Sequence, residues 1–240
     1  MKYPTRILTI PLTLLAAIVV SAATATAPGF DNEQLRYSIN WPSGLGLGEA
    51  GFHATRAKAD ADTPERLHFE FDLDAAVPGF AVSDRYRSDT SPEFCSAEFQ
   101  KTATHGKKKI DEKTTFDQQA GSATRQSANG GGKTDISISQ CSKDALAFLY
   151  YVRRELAQGR VPQPQTVYFG APYEVRLEFT GTQSIRIGDK PVDADRVSVT
   201  AKGSASEISF EAFFLKDKAR TLALVRVPLS LGAFYMELVK

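Results

Sequence analysis

Apolar and polar side chains alternate along much of the chain, a pattern typical of strands with one buried and one solvated face. The segments 35–41, 67–73, 173–179 and 208–214 each carry an apolar residue at every second position. Shorter apolar segments lie at 185–187, 197–199, 221–227 and 234–239. A series of about ten antiparallel strands does not stay flat and open, so the pattern predicts a mainly β protein with a curved antiparallel sheet or half-barrel.

One predicted helix interrupts the strands. It extends from Lys143 to about Ala157, with Ser142 as its N-cap and Gly159 as its C-cap. The helix is apolar around more than one stripe, so we expect it to pack on the sheet. The expected contact residues are Leu146, Leu149, Tyr150 and Leu156.

The strands after Val197 carry apolar residues on both faces. The residues on the face that is polar elsewhere are Phe213, Leu215, Leu222 and Leu224. This pattern predicts that both faces of these strands are covered, either by the helix or by a ligand.

The first 25 residues have the features of a secretory signal peptide. Lys2 and Arg6 precede an apolar run over 7–20, and Ala23 and Ala25 meet the small-x-small rule for cleavage. We expect cleavage after Ala25 and a mature protein in the periplasm or secreted. Residues 26–240 are then expected to form a single β-rich domain.

The two cysteines of the chain are Cys95 and Cys141. In an exported protein a pair of cysteines indicates a disulfide. The pair encloses a glycine-rich segment, residues 118–134, which we expect to be a flexible insert. The alternative, a redox-active pair, requires CxxC-like proximity or activating neighbours, and the sequence has neither.

The charge balance argues against nucleic acid or an anionic membrane as partner. The chain has 29 basic and 28 acidic residues, and removing Lys2 and Arg6 leaves 27 against 28, a net charge of −1. Such partners require a surplus of basic charge. The basic run 107–109 is followed at once by Asp111 and Glu112, which favours a solvated hairpin tip.

Motifs for catalysis, nucleotides or metals are not found in the sequence. The glycines of 44–51 lead into a strand and are followed by no Lys-Ser/Thr pair, so they favour a tight turn over a nucleotide loop. His53, His68 and His105 lack the spacing of metal ligands, and no G-x-S-x-G segment exists. The sequence therefore predicts no catalytic residue, metal or cofactor and leans against an enzyme.

The order of several short motifs resembles the bacterial family called domain of unknown function 3108. The resemblance covers essentially the whole mature chain. The motif residues are Leu35, Tyr37, Ile39, Trp41, Gly44 and 48–50 at the start, 144–146, 149–151 and Arg153 in the helix, Asp217 and Arg220 in a late hairpin, and 231–232 with 237–238 at the end. Phe214 and Leu222 stand where the family often has Trp and Pro. The resemblance implies an exported, mostly antiparallel β protein of the cell envelope and no established activity.

Three functions remain open from the sequence. The first is a non-catalytic binding or carrier module for a lipid or lipidated partner, because a curled sheet with an apolar concave face can hold an acyl chain. The second is an envelope assembly or structural factor that acts through protein contacts. The third is an enzyme acting on an envelope glycan or peptide, for which Tyr, Glu and Arg would have to converge.

The structural polar candidates within the family-like motifs are Tyr37, Glu49 and Arg153. A buried Arg requires a partner, because an unpaired buried charge is very costly. Glu49 is the predicted partner of Arg153, whereas Asp144 lies too far along the helix. Tyr37 is expected to pack in the core with its hydroxyl satisfied.

Overall fold

One curved sheet of fifteen strands dominates the part of the chain that the computed structural model describes, residues 30–60, 63–77, 79–128, 130–229 and 232–239. The predicted signal peptide lies outside these residues. The strands are β1 Glu33–Asn40, β2 Gly46–Ala57, β3 Arg66–Val77, β4 Phe80–Thr90, β5 Ser96–His105, β6 Lys108–Asp117, β7 Ser122–Ser127, β8 Gly132–Ser137, β9 Lys143–Asp144, β10 Gln165–Tyr168, β11 Pro172–Ile187, β12 Lys190–Lys202, β13 Glu207–Leu215, β14 Leu222–Leu229 and β15 Gly232–Val239. One helix, α1, extends over Ala145–Ala157.

Neighbouring strands in the chain are neighbours in the sheet, and the first strand pairs with the last. The spatial order is β8-β7-β6-β5-β4-β3-β2-β1-β15-β14-β13-β12-β11-β10-β9. All pairs are antiparallel except the short parallel pair of β9 and β10. The two edges, β8 and β9, do not pair within the described residues, so the sheet is open and curved rather than a closed barrel. This confirms the predicted fold class.

The structure has more strands than the alternation predicted. Segment 118–134 contains β7 and the first residues of β8, which extend the sheet at one edge. The predicted short strand 185–187 is the end of β11, a long strand with a register shift at Gly181. Gly181 has a φ of +116°, which favours glycine because it lacks a Cβ.

The N-cap of α1 is Asp144 rather than the predicted Ser142. Asp144 Oδ1 accepts hydrogen bonds from the backbone N–H groups of Leu146 and Ala147 at 2.9 and 3.0 Å. Its Oδ2 accepts from the hydroxyls of Ser88 and Ser96, both at 2.6 Å. The helix begins two residues later than expected because residues 143–144 first form β9.

At the other end of α1, Gln158 is the C-cap rather than the predicted Gly159. Gly159 follows it with a φ of +73°, which ends the helix.

The helix packs on the concave face of the sheet through an aromatic cluster. Tyr150 stacks on Phe69 of β3 with ring centroids 4.0 Å apart, and Phe30 meets Tyr150 edge-on at 5.0 Å. Of the four predicted contact residues, Leu146, Tyr150 and Leu156 are buried, whereas Leu149 is only partly buried. The helix turns Phe148 and Val152 inward as well.

The apolar residues on the second face of the late strands form a separate small cluster. Ile185 and Ile187 of β11 pack there with Phe213 of β13 and Ala223 of β14. Leu215 and Leu224 lie at its margin, whereas Leu222 belongs to the main core. The end of β11 therefore contributes to the cover of this face, in place of the predicted helix or ligand.

The predicted disulfide between Cys95 and Cys141 is confirmed. It joins the turn after β4 to the segment that leads into β9, and the Ser96 N–H donates to the Ser142 carbonyl beside it at 3.0 Å. The start of α1 is thus fixed to the sheet by a covalent bond and by the hydrogen bonds of Asp144.

Candidate functional site

Arg153 is held in a buried ion pair, but its partner is Glu33 and not the predicted Glu49. The Arg153 Nη1 and Nη2 atoms donate to the two Glu33 carboxylate oxygens at 2.7 and 2.6 Å. Nε donates to the carbonyls of Ala219 and Arg220, and the guanidinium lies over the Phe30 ring. This arrangement holds the end of α1 against β1 and the β13–β14 turn, so it is a structural clamp.

Glu49 and Tyr37 occupy different surroundings. Glu49 is exposed on the outer face of β2, opposite Ser38 and Asp74. Tyr37 is buried beneath α1, and its hydroxyl donates to the Leu222 carbonyl at 2.7 Å. The structure therefore does not bring the three candidates together as one site. The Tyr37 prediction is confirmed, and the Glu49 prediction is wrong.

The strand register distinguishes Glu33 from Glu49. Glu33 has the same parity as Leu35 and Tyr37, so it lies on the apolar face of β1. A charged residue on a buried face requires a partner of opposite charge. Parity at the start of the first strand is the sequence signal that identifies Glu33.

The two ends of the curved sheet differ. We call the end at which β1, β3 and β5 end the mouth, and the opposite end the base. Helix α1 lies at the base, where Asp144 bonds to Ser88 and Ser96 and Arg153 bonds to Glu33. The base is therefore closed by the helix and its buried polar contacts.

Toward the mouth the concave face stays apolar, but its side chains are only partly buried. Those residues include Leu47, Leu73, Tyr86, Leu177, Phe210 and Met236. They come from strands on both sides of β1, and they continue the core that the helix covers at the base. The inner face at the mouth is thus a partly buried apolar surface.

A polar cluster lies on the same inner face, on β4 and β5. The His105 Nε2 atom forms a hydrogen bond of 2.8 Å with Oδ1 of Asp84. Asp84 is a buried residue, only 8% exposed. Tyr86 follows Asp84 on this face, and Lys101 lies directly opposite Tyr86. Burial and the Asp84 carboxylate raise the pKa of Tyr86 well above its usual range, so its phenol stays neutral.

Lys101 is the distinctive member of this cluster. Its Nζ lies 3.9 Å from the centroid of the Phe169 ring, which belongs to the β10–β11 turn. Burial lowers the pKa of Lys101, although Glu112 and Asp84 act in the opposite direction. Among the described residues Lys101 forms no ion pair, and Glu112 of β6 lies directly opposite it in the register.

The β10–β11 turn covers part of this cluster. Phe169 meets the Tyr86 ring edge-on at 5.0 Å and lies 5.9 Å from the Phe99 ring. The Arg125 Nη1 atom donates to the Gly170 carbonyl at 2.6 Å, which ties the turn to β7. Aromatic rings and a cation thus meet on one part of the apolar surface.

This cluster is not visible in the sequence, because charged residues on an apolar face interrupt the alternation of apolar and polar positions. Lys101 and His105 have the same parity as Phe99 and Ala103 in β5, and both of those apolar residues are buried. The signal becomes visible only when the strand and its buried face are known.

The described ranges contain neither a cluster of metal-ligating side chains nor a helix that could span a membrane. No group of three or more His, Cys, Asp or Glu side chains there is arranged to hold a metal ion. No helix there has the length and apolar character needed to cross a membrane.

The chain was compared with known protein families and structures. A family model described as "Protein of unknown function (DUF3108)" matches residues 36–239. Among solved structures, the chain is similar to a β-barrel-like protein of domain of unknown function DUF1849 from Brucella abortus. That match has 9% identity and a TM-score of 0.53, and it covers 86% of this chain and 95% of the other. No curated protein matches the chain.

Proposed function

Because this chain belongs to the DUF3108 family, whose description assigns no function, we propose a role from the geometry of the inner face. The protein is a non-catalytic binding or carrier module for an amphiphile with an acyl chain and an anionic headgroup. The observation that carries this proposal is the apolar, partly buried concave face at the mouth, with the ammonium of Lys101 set into it.

An acyl chain suits the lining of the mouth. The apolar side chains there lack full cover, and each Å² of apolar surface removed from water contributes about 25 cal/mol. Leu73 and Met236 lie on strands either side of β1 and β2, so a linear chain lying across the inner face would contact several strands at once.

An anionic headgroup suits the polar cluster. Lys101 is half-buried without an ion-pair partner among the described residues, and a carboxylate or phosphate would supply one. The Asp84 carboxylate is already engaged by His105 and by the neutral Tyr86 phenol, which leaves Lys101 as the cation of the cluster. The cluster is therefore suited to holding a negative group at a fixed depth in the mouth.

We also propose that the protein works outside the cytoplasm, in the periplasm or after secretion. Two observations support this location: the signal-like pattern of residues 1–25 and the disulfide of Cys95 and Cys141. N-terminal sequencing of the protein from its own host is expected to begin after Ala25. Membrane-bound protein that still begins with Met1 would overturn the location.

A fluorescent fatty acid, dansylaminoundecanoic acid, tests the binding proposal. We expect a rise in dansyl fluorescence with saturable binding. Lys101→Met should weaken the affinity at least tenfold, because a hydrogen bond to a charged group is worth about 1.5–3 kcal/mol. Leu73→Asp should weaken it further, because it puts a charge into the apolar lining.

Lys113→Met is the matched control for Lys101→Met. Lys113 lies on the outer face of β6 and pairs with Glu98 at 2.7 Å, so its replacement removes the same charge from the other side of the sheet. Its affinity for the probe should match that of the unmodified protein. Equal losses in both variants, or no binding at all, would contradict the proposal.

A further inference from the structure

Two neighbouring turns at the mouth contain no charged residue. They fall within segments 41–48 and 75–82. The strand register puts them side by side, with Gly48 opposite Ala75. Both turns expose large apolar side chains, which proteins normally keep from solvent.

The exposed apolar side chains of these turns are large. Leu45 of the β1–β2 turn is 60% exposed, and Phe80 and Val77 at the tip of the β3–β4 hairpin are 47% and 37% exposed. Phe80 and Val77 are opposite each other in the register, so they form one apolar tip. Ile208, the second residue of β13, is 47% exposed and lies at the same end.

Lysines lie immediately beside this apolar tip. The Gly106 N–H donates to the Ala81 carbonyl at 2.8 Å, which joins the β3–β4 tip to the β5–β6 tip. A Cβ on Gly106 would lie only 3.0 Å from the Phe80 ring. Lys107 and Lys108 follow and are exposed. The hairpin tip predicted from the basic run is confirmed, and its neighbour is an aromatic ring rather than solvent alone.

The turns at the base have a different composition. The β2–β3 connection over 58–65 and the β13–β14 turn over 216–220 both combine basic with acidic residues. Within the second, Asp217 accepts hydrogen bonds from both the backbone and the hydroxyl of Thr221. The combination of exposed apolar tips with lysines therefore distinguishes the mouth from these base turns.

We propose that the mouth docks on an anionic lipid bilayer. Val77, Phe80 and Leu45 enter the boundary between headgroups and acyl chains, and Lys107 and Lys108 contact lipid phosphates. Aromatic and apolar tips flanked by lysines are the residues that interfacial binding uses. The near-zero net charge of the chain does not oppose this, because charges are screened beyond about 8 Å at physiological ionic strength and only the local patch counts.

This inference goes beyond the binding proposal and stands on different residues. Docking would also orient the protein with its mouth toward the bilayer and its apolar inner face against the lipid. Failure of the dansyl probe to bind would leave the docking surface intact. Failure to dock would leave the dansyl binding of Lys101 intact.

Sedimentation with vesicles tests the docking surface. The protein, purified as its host processes it, is mixed with vesicles of phosphatidylglycerol and phosphatidylcholine in equal parts, and with vesicles of phosphatidylcholine alone. We expect stronger binding to the anionic vesicles, decreasing with added salt. Lys107→Glu with Lys108→Glu should weaken binding at least tenfold, because each basic residue near an anionic surface contributes about 1 kcal/mol. Phe80→Ser should weaken binding to both vesicle types.

Lys58→Glu with Lys218→Glu is the matched control. It makes the same change in net charge in exposed turns at the base, so its binding should equal that of the unmodified protein. Equal losses in the two double variants would show that net charge alone governs binding and would overturn the proposal. Absence of binding by the unmodified protein would overturn it too, as would self-association through Phe80 that excludes vesicles.

Discussion

Replacing Arg153 with methionine removes four hydrogen bonds at the base of the sheet. Two go to the Glu33 carboxylate and two to the carbonyls of Ala219 and Arg220. The side chains of Arg153 and Glu33 are 1% and 14% exposed, so solvent supplies few replacement partners. The variant leaves an unpaired carboxylate and two carbonyls without their donor, all close to the end of α1.

Burial sets the size of the effect. Breaking a buried ion pair by removing one partner costs about 3–5 kcal/mol in free energy of unfolding, because the remaining charge stays buried. Arg153→Met should lie at the upper end of that range. Glu33→Gln should cost less, because the amide oxygen still accepts from the guanidinium and the two carbonyls keep their donor. Glu33→Gln with Arg153→Met should cost less than the sum of the separate losses, because no charge remains.

Urea unfolding followed by circular dichroism measures the four free energies of the cycle. We expect a coupling energy of about 2 kcal/mol between the two sites. The control is the exposed pair of Lys113 and Glu98, with side chains 51% and 25% exposed, for which single replacements should cost at most about 1 kcal/mol. Additivity within about 0.3–0.5 kcal/mol at Glu33 and Arg153 would refute the clamp.

Two further predictions concern Gly48 and Asp144. Gly48→Ala should lower the melting temperature strongly, because the added Cβ would overlap the backbone oxygen of Asp74 in β3. Gly46→Ala should have little effect, because the nearest neighbour of its added Cβ lies at 3.9 Å. Equal shifts in the two variants would contradict this. Burial raises the pKa of Asp144 despite its four hydrogen bonds. Urea unfolding at a series of pH values measures the free energy of unfolding of the unmodified protein and of Asp144→Asn. The difference in favour of the unmodified protein should be greatest below about pH 4 and should fall as the pH rises through the raised pKa. A difference that stays constant or grows with pH would contradict the raised pKa.

The sequence predicted the fold where alternation is clean. Strands such as β1, β3 and β13 carry apolar residues at every second position, so their buried face is visible without coordinates. Strands β4 to β8 were hidden, because inner positions such as Asp84 and Lys101 are charged and break the period. A half-buried charged residue is compatible with the sheet when neighbouring strands surround it, but it interrupts the apolar alternation by which a strand is predicted.

The candidate site could not be predicted for the same reason. Lys101, Tyr86 and Phe169 come from three separate segments, and only the curvature of the sheet brings the β10–β11 turn over β5. The partner of Arg153 was predicted in the wrong strand position, because charge complementarity alone does not distinguish Glu33 from Glu49. The alternation along β1 distinguishes them once the register of this strand is known, because it puts Glu33 on the apolar face.

The residues that carry the family resemblance and the residues of the candidate site are separate sets, and this separation makes the binding test interpretable. Gly48 permits a close approach of two strands, Asp144 caps α1 and Arg153 clamps its end. None of these contacts involves Lys101. Lys101 forms no ion pair among the described residues, and its ring contact with Phe169 joins β5 to the β10–β11 turn. Lys101→Met removes a charge and this one contact, but none of the three scaffold contacts above. A loss of probe affinity with an unchanged melting temperature in that variant therefore reports on ligand recognition rather than on folding.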